Sequence, residues 1–341
     1  METIERSRCE TCVKQTRFSP DCSNFSVVES GPFFRLCSLS TNSTAEINTG
    51  GDIFDHDFYP GFDQNNALTA CVLIASRNRP IHLFNTRSLG SVSAYTAYSV
   101  TEEIIHPISL KFSPQCKSII AGFSSSTVKV WDVQRPGRQF SDLVLSTRKS
   151  RGSIKGIVSA VEFASEDSFF AGTYSKEIAM FDLRNKDQCM RIGSGLNFGG
   201  VVQLKFIPNL NIVFSGHRAD MSIRGFDVRY PDQPVLELPR VVKTYQRFEF
   251  DILATNNIIV SGDHYGDLTV FDLKKDGAII LQNNVSSSPL VSVSVSSGGN
   301  IITGSGIRRF ADIIDSEDEA GIPDSSDASA SFFGLHTIDL P

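Results

Sequence analysis

Short stretches that alternate apolar and polar residues recur along this chain, separated by turns rich in Gly, Ser, Asn and Pro. ISLKFSP (108–114), VSAVEFAS (158–165), VVQLKFIP (201–208) and RFEFD (247–251) carry the period of a half-buried strand. A second, more apolar type of stretch ends in small residues: VLIAS (72–76), IIAG (119–122), FFAG (169–172), VFSG (213–216) and IIVSG (258–262). A third follows it and ends in Asp or Asn: IHLFN (81–85), VKVWD (128–132), IAMFD (178–182), IRGFD (223–227) and LTVFD (268–272). Their last residues stand at 85, 132, 182, 227 and 272, so the unit repeats every 45–50 residues.

Three short strands and a variable fourth per unit describe one blade of a β-propeller, with the spacing of the WD-repeat class. A four-stranded blade cannot bury both of its faces alone, so closure into a ring stabilises all of them. Small residues at the second strand's end fit where strands crowd near the axis. Trp131-Asp132, which holds the chain's one tryptophan, is then a repeat signature with a structural role. Five units are clear. A further blade begins at LVSVSVSS (290–297) and NIITGSG (300–306), is interrupted by an acidic loop, and resumes at FGLHTIDL (333–340) with Asp339 in the repeat position. FSVVESGPFFRLCSLS (25–40) supplies an abbreviated first blade, and GGDIFDHDFYP (50–60) opens the next. The expectation is an all-β, WD40-type propeller of seven blades over residues 24–341, closed by pairing N- and C-terminal strands. Residues 1–23 show no pattern and read as a disordered tail, as does the acidic loop at 311–330.

Composition adds a core built mainly from phenylalanine, with 25 Phe against one Trp. No apolar run approaches the roughly 18 residues of a membrane span, and the polar start METIERSRCETC is not a signal peptide. Seven scattered cysteines make no disulfide framework, which suits a reducing compartment, cytosol or nucleus. The net charge of −6 hides a segregation. Seven acids and no base lie between Asp312 and Asp327, whereas residues 129–155 hold seven bases against two acids.

Enzyme signatures are missing: no G-x-S-x-G, no H-E-x-x-H, no phosphate-binding glycine loop. The six histidines fall one per blade or in turns, a register that suits hydrogen bonds within a blade. CETC (9–12) has the spacing of half a zinc site, but Cys22 and Cys37 stand at no zinc spacing, so Cys9 and Cys12 read as free thiols. No metal or cofactor is expected. The charged turns say more. In such a propeller the second-to-third-strand turns share a face with the connections between blades. That rule gathers Arg77, Arg79, His217, Arg218, His264 and Tyr265 with Arg148, Lys149, Arg151, Lys155, Lys243, Tyr245 and Arg247, and Tyr98 approaches from SAYTAYS. Bases interleaved with aromatics suit an RNA backbone with unstacked bases between. Arg135 and Arg138, in a third-to-fourth-strand turn, are expected on the opposite face, in a protein contact or stabilising the turn. Since propellers bind peptides as readily, a protein-scaffolding role without RNA is the alternative.

Several stretches resemble one family within the WD-repeat class, the telomerase Cajal-body proteins. They are DFYP (57–60), ASRNRPIHLFNT (75–86), GFSSSTVKVWDVQRPGRQ (122–139), GIVSAVEFA (156–164), SGHRADMSIRGFDVR (215–229), QRFEFDI (246–252), VSGDHYGDLTVFD (260–272) and GSGIRRF before the acidic run. The resemblance covers about residues 50–320. It implies a non-catalytic RNA-binding scaffold that recognises the CAB-box loop of small Cajal-body (H/ACA-class) guide RNAs, with telomerase RNA a further client. It also implies delivery of these ribonucleoproteins to Cajal bodies in the nucleus, in support of telomere maintenance. The partners would be these RNAs and their ribonucleoprotein proteins, bound by a monomer away from membranes. The sequence lacks the family's long N-terminal extension, its acidic loop is short, and RNA binding needs only the ring.

Overall fold

A computed structural model describes residues 2–9, 11–41, 43–146, 153–185, 189–307 and 331–337. It is a ring of seven blades, and each blade's first strand is the innermost. The first strands are Val13–Phe18, Ile53–Phe58, Ser109–Phe112, Val158–Phe163, Val201–Ile207, Phe250–Leu253 and Leu290–Val295. The five third strands end where the repeat predicts, at Asn85, Asp132, Asp182, Asp227 and Asp272. The repeated acid has a local cause. The carboxylates of Asp132, Asp182, Asp227 and Asp272 accept the backbone N–H two residues on, at 2.8–2.9 Å. Asn85 does the same at 3.0 Å. Each is an Asx turn that starts the path to the fourth strand.

The N-terminus departs from expectation. Glu2–Cys9 is a strand, paired antiparallel with Ser331–Thr337 as the fourth strand of blade 7. Val13–Phe18 opens blade 1, which is complete: Asn24–Glu29, Phe33–Ser38 and Thr44–Asn48 follow it. Glu2–Cys9 and Val13–Phe18 are therefore strands of the ring where a disordered tail was expected, and the first blade is not abbreviated. The missed signal has a physical reason. An innermost strand turns alternate residues to a polar channel, so Gln15 and Arg17 break the apolar pattern that marks a strand elsewhere. Ring closure by N- and C-terminal strands holds. The acidic run at 311–330 and Asp339 lie outside the described residues.

Trp131 is fully buried between blades 2 and 3, among Leu73, Ile81, Tyr95, Ala97, Leu110 and Ile119. Its indole N–H donates to the Thr96 carbonyl at 3.3 Å. The small residues ending the second strands face the next blade. A Cβ on Gly122 would lie 2.6 Å from Val158, and one on Gly172 would lie 2.5 Å from Val201. Each glycine admits the neighbouring innermost strand.

Around the axis the first strands place Arg17, Asp57, Lys111, Glu162, Lys205 and Asp251, alternating in sign from blade 1 to blade 6, with Ser294 in blade 7. Lys111 Nζ lies 3.3 Å from Asp57 and 3.7 Å from Glu162, and Lys205 Nζ lies 2.6 Å from Asp251. Seven is odd, so strict alternation cannot close. The neutral Ser294 fills the gap, donating to Asp251 at 2.8 Å and accepting the Phe18 N–H at 3.1 Å. Arg17 also reaches Asp55 at 2.8 Å. Burial opposes ionisation of Asp55, but Arg17, Arg247 and the Leu110 N–H together outweigh it and the carboxyl sits at about 2. The channel encloses about 510 Å³.

Candidate nucleic-acid interface

Arg218 leaves the second strand of blade 5 at the turn before Ser222–Asp227. Its guanidinium carbon lies 3.7 Å from the Tyr174 ring centroid and 5.6 Å from that of Tyr245. Tyr174 comes from the matching turn of blade 4, and Tyr245 from the connection between blades 5 and 6. One blade further, Lys243 Nζ lies 4.8 Å over the Tyr265 ring. Tyr245 and Tyr265 remain 77% and 52% exposed. Two cation–aromatic pairs thus stand beside each other with ring faces open to solvent.

The chain under Arg218 is built to let it lie flat. A Cβ on Gly199 would collide with the Arg218 carbonyl oxygen, and one on Gly200 would come within 2.9 Å of its Nε and 2.8 Å of the Tyr174 carbonyl. Buried His217 fixes this glycine pair. One ring nitrogen meets Ser215 Oγ at 2.8 Å and the other the Gly199 carbonyl at 3.1 Å, and Phe198 packs on the ring at 4.6 Å. Burial drives the His217 pKa down to about 3, so the ring is a neutral structural bond. His56 plays the same part in blade 2, against Ser26 at 2.7 Å and Gln15 at 3.0 Å. Its pKa is also held well below the usual value by burial. The Ser215–His217 bond lies within blade 5 as expected, whereas both partners of His56 belong to blade 1, so that histidine ties two blades together.

The other expected positions fall into separate groups. Arg77 and Arg79 are exposed on the blade 2 turn, with blades 3 and 4 between them and Arg218. Lys155 lies at the entry to blade 4, where its backbone N–H donates to Glu177 at 2.6 Å. Arg148, Lys149 and Arg151 lie outside the described residues. One placement is corrected. Gly137–Arg138 pairs in parallel with Tyr95–Thr96 on the outermost strand of blade 2. Arg138 therefore lies 5.1 Å from the Tyr98 ring and 3.6 Å from Glu102. Arg138 and Tyr98 share one edge instead of opposite faces, because the third-to-fourth connection of blade 3 climbs its neighbour. Arg135 stays in the turn, 3.7 Å from Asp132. Cys9 and Cys12 are buried at the seam of blades 7 and 1 and form no disulfide, and burial, with Glu29 nearby, pushes Cys9 up to about 12.

Sequence reasoning missed Tyr174, and its signal was available. TYSKE (173–177) occupies the turn that holds SRNRP, GHRAD and GDHYGD in other blades.

No family model matches the chain. Among curated proteins, human telomerase Cajal body protein 1 is 30% identical over 229 residues, 67% of this chain and 41% of that protein. The Drosophila melanogaster telomerase Cajal body protein 1 homolog is 31% identical over 241 residues, 69% of this chain and 42% of its own length. The mouse protein is 30% identical over 225 residues, 66% and 41%. This chain is a homologue of the telomerase Cajal body proteins. The match spans about two-fifths of the length of these relatives. With its seven-bladed ring, the chain is a WD-repeat β-propeller that is similar over this stretch to the telomerase Cajal body proteins.

Proposed function

We propose that this chain is a non-catalytic RNA-binding propeller that recognises the CAB-box loop of H/ACA-class guide RNAs, telomerase RNA among them, and directs them to Cajal bodies in the nucleus. The observation that carries this reading is the pair of stacks, Arg218 between Tyr174 and Tyr245 and Lys243 on Tyr265. Exposed rings accept unstacked bases, while the adjacent cations hold phosphates bidentately or by point charge. Arg77, Arg79 and Lys155 add positive charge on the turns and connections of other blades, and Arg148, Lys149 and Arg151 stay part of the proposal from the sequence. The names of the relatives support a telomerase and Cajal-body setting.

The test is binding of a guide-RNA hairpin with its loop intact or scrambled, over a range of salt. RNA binding at this face predicts preference for the intact loop and affinity that falls steeply with salt. Equal, salt-insensitive affinity for both hairpins overturns it. One observation favours the protein-scaffolding alternative at a different place. Phe140 is 78% exposed beside a cavity of about 540 Å³ between blades 3 and 4, lined also by Lys117, Glu166 and Arg184.

A further inference from the structure

Arg240 follows the fourth strand of blade 5, Leu236–Pro239, and is only 3% exposed. No carboxylate of the described residues lies within ion-pair distance of it. Its two terminal nitrogens donate to the carbonyls of Phe248 at 3.3 Å and His217 at 3.4 Å, and its buried Nε has no partner. An unpaired buried charge costs several kcal/mol, and buried polar groups in folded proteins are otherwise almost always satisfied. Burial holds this guanidinium down at about 10.

The arginine lines a cavity of about 140 Å³ with Ser261, Asp263, Thr269, Phe271 and Gln282. That is the liquid volume of about four or five waters. The backbone stitches the cavity between the two exposed stacks. Ala219 N–H donates to the Thr244 carbonyl at 3.0 Å and His264 N–H to the Val241 carbonyl at 2.9 Å. Gly262 and Asp263 of the Tyr265 turn line the cavity, and its Pro239–Val241 wall belongs to the connection that Thr244 ties to the Arg218 turn.

We propose that the Arg240 cavity is an oxyanion pocket that takes one phosphodiester group of a bound RNA. The source of the oxyanion rests on the RNA reading above; the pocket itself does not. Asp263 decides the class of anion. One of its oxygens accepts the N–H groups of Tyr265 and Asp267, each at 2.8 Å, but its charge still borders the cavity. A monoanionic diester meets less repulsion there than a phosphate dianion. Arg240 supplies the positive charge of the wall, and Thr269 and Gln282 line it with neutral polar groups.

The experiment uses the full chain labelled with ¹⁵N-arginine, following the Arg240 Nε–H signal, assigned with Arg240→Lys. Dimethyl phosphate, inorganic phosphate and chloride are titrated at matched ionic strength, followed by the guide-RNA hairpin. The expected result is a saturable shift with dimethyl phosphate, a weaker one with inorganic phosphate, none with chloride, and the same shift with RNA. Arg240→Gln, which removes the charge, should lower the slope of log affinity against log salt by about one. If neither variant folds, through-bond correlation from the Arg240 backbone assigns the signal, and in Arg218→Ala the dimethyl phosphate response should survive. An Arg240 signal unmoved by either phosphate probe means the cavity holds water only and overturns the proposal. A response to dimethyl phosphate with none to a hairpin that binds overturns the RNA source alone. A response to dimethyl phosphate without any RNA binding overturns the RNA reading and leaves the oxyanion pocket standing.

Discussion

The guanidinium of Arg218 rests 3.7 Å from the ring of Tyr174, so turns of two consecutive blades form a single stacked pair. Nothing local in either turn requires the other. The pair exists because Gly199 and Gly200 bring the blade 5 connection close beneath Arg218, and because ring closure sets blades 4 and 5 side by side. Tyr245 lies 5.6 Å from the same cation and is 77% exposed.

Tyr245→Ala and Tyr174→Ala should each weaken binding of the guide-RNA hairpin by about 1–3 kcal/mol, the range for one lost base stack. Tyr245 is mostly exposed, so its removal should leave thermal stability nearly unchanged. Filter binding and a thermal melt on the same samples check both halves. Unaltered affinity in both variants would remove this platform from the interface.

Trp131→Ala should cost on the order of 3–5 kcal/mol, as deletion of a large core side chain does. It also strands the Thr96 carbonyl that the indole N–H now satisfies. Trp131→Phe should recover part of the loss by refilling volume without the donor. Urea denaturation gives the comparison, and an unchanged midpoint for the alanine variant would contradict the packing described.

Removing residues 1–9 should destabilise the whole ring, because Glu2–Cys9 is the strand that closes blade 7. A drop in melting temperature with a broader transition is expected, and adding the segment back as a peptide should restore part of it. A truncated protein that melts like the full chain would mean that closure does not depend on this strand.

Ser294→Asp should destabilise the ring by several kcal/mol, since it sets a second carboxylate against Asp251 where the charge alternation is interrupted. Ser294→Ala loses one hydrogen bond and should cost about 1 kcal/mol. Protonating the new carboxylate should narrow the gap, so the two variants should converge at low pH.

Stability should also fall with acid through His217. Its folded pKa, about 3, lies below the unfolded value near 6.5, so the unfolded chain binds the extra proton between those limits. Stability from this group is present above about pH 6.5 and lost as pH falls towards 3. Asp55, held at about 2 mainly by Arg17 against its burial, extends the loss below pH 4. Urea midpoints from pH 7 to 4 should fall, with proton uptake on unfolding. His217→Asn should show a shallower fall, and an identical slope would remove His217 from the account.

The sequence by itself determined the class of fold and most of its register. A strand's alternation, an Asx-capping acid at the end of each third strand and a glycine where the next blade enters are local requirements. They repeat, and so they are visible without coordinates. Asp132, Asp182, Asp227 and Asp272 fall where the repeat placed them for that reason. The alternating charges of the channel were also present in the sequence, one or two before the end of successive first strands. Only the ring, by making those strands neighbours, turned them into a network. Tertiary structure alone decided the rest. It made a closing strand of a polar N-terminus, because an outermost strand and an innermost strand facing a wet channel need no apolar stripe. It set Arg138 against Tyr98 by pairing a connection with the edge of the preceding blade. It also left Arg77 and Arg79 far around the rim from Arg218. Contacts between turns depend on how many blades close the ring and how each is tilted against the next. Those are properties of the packed whole, and no single turn encodes them.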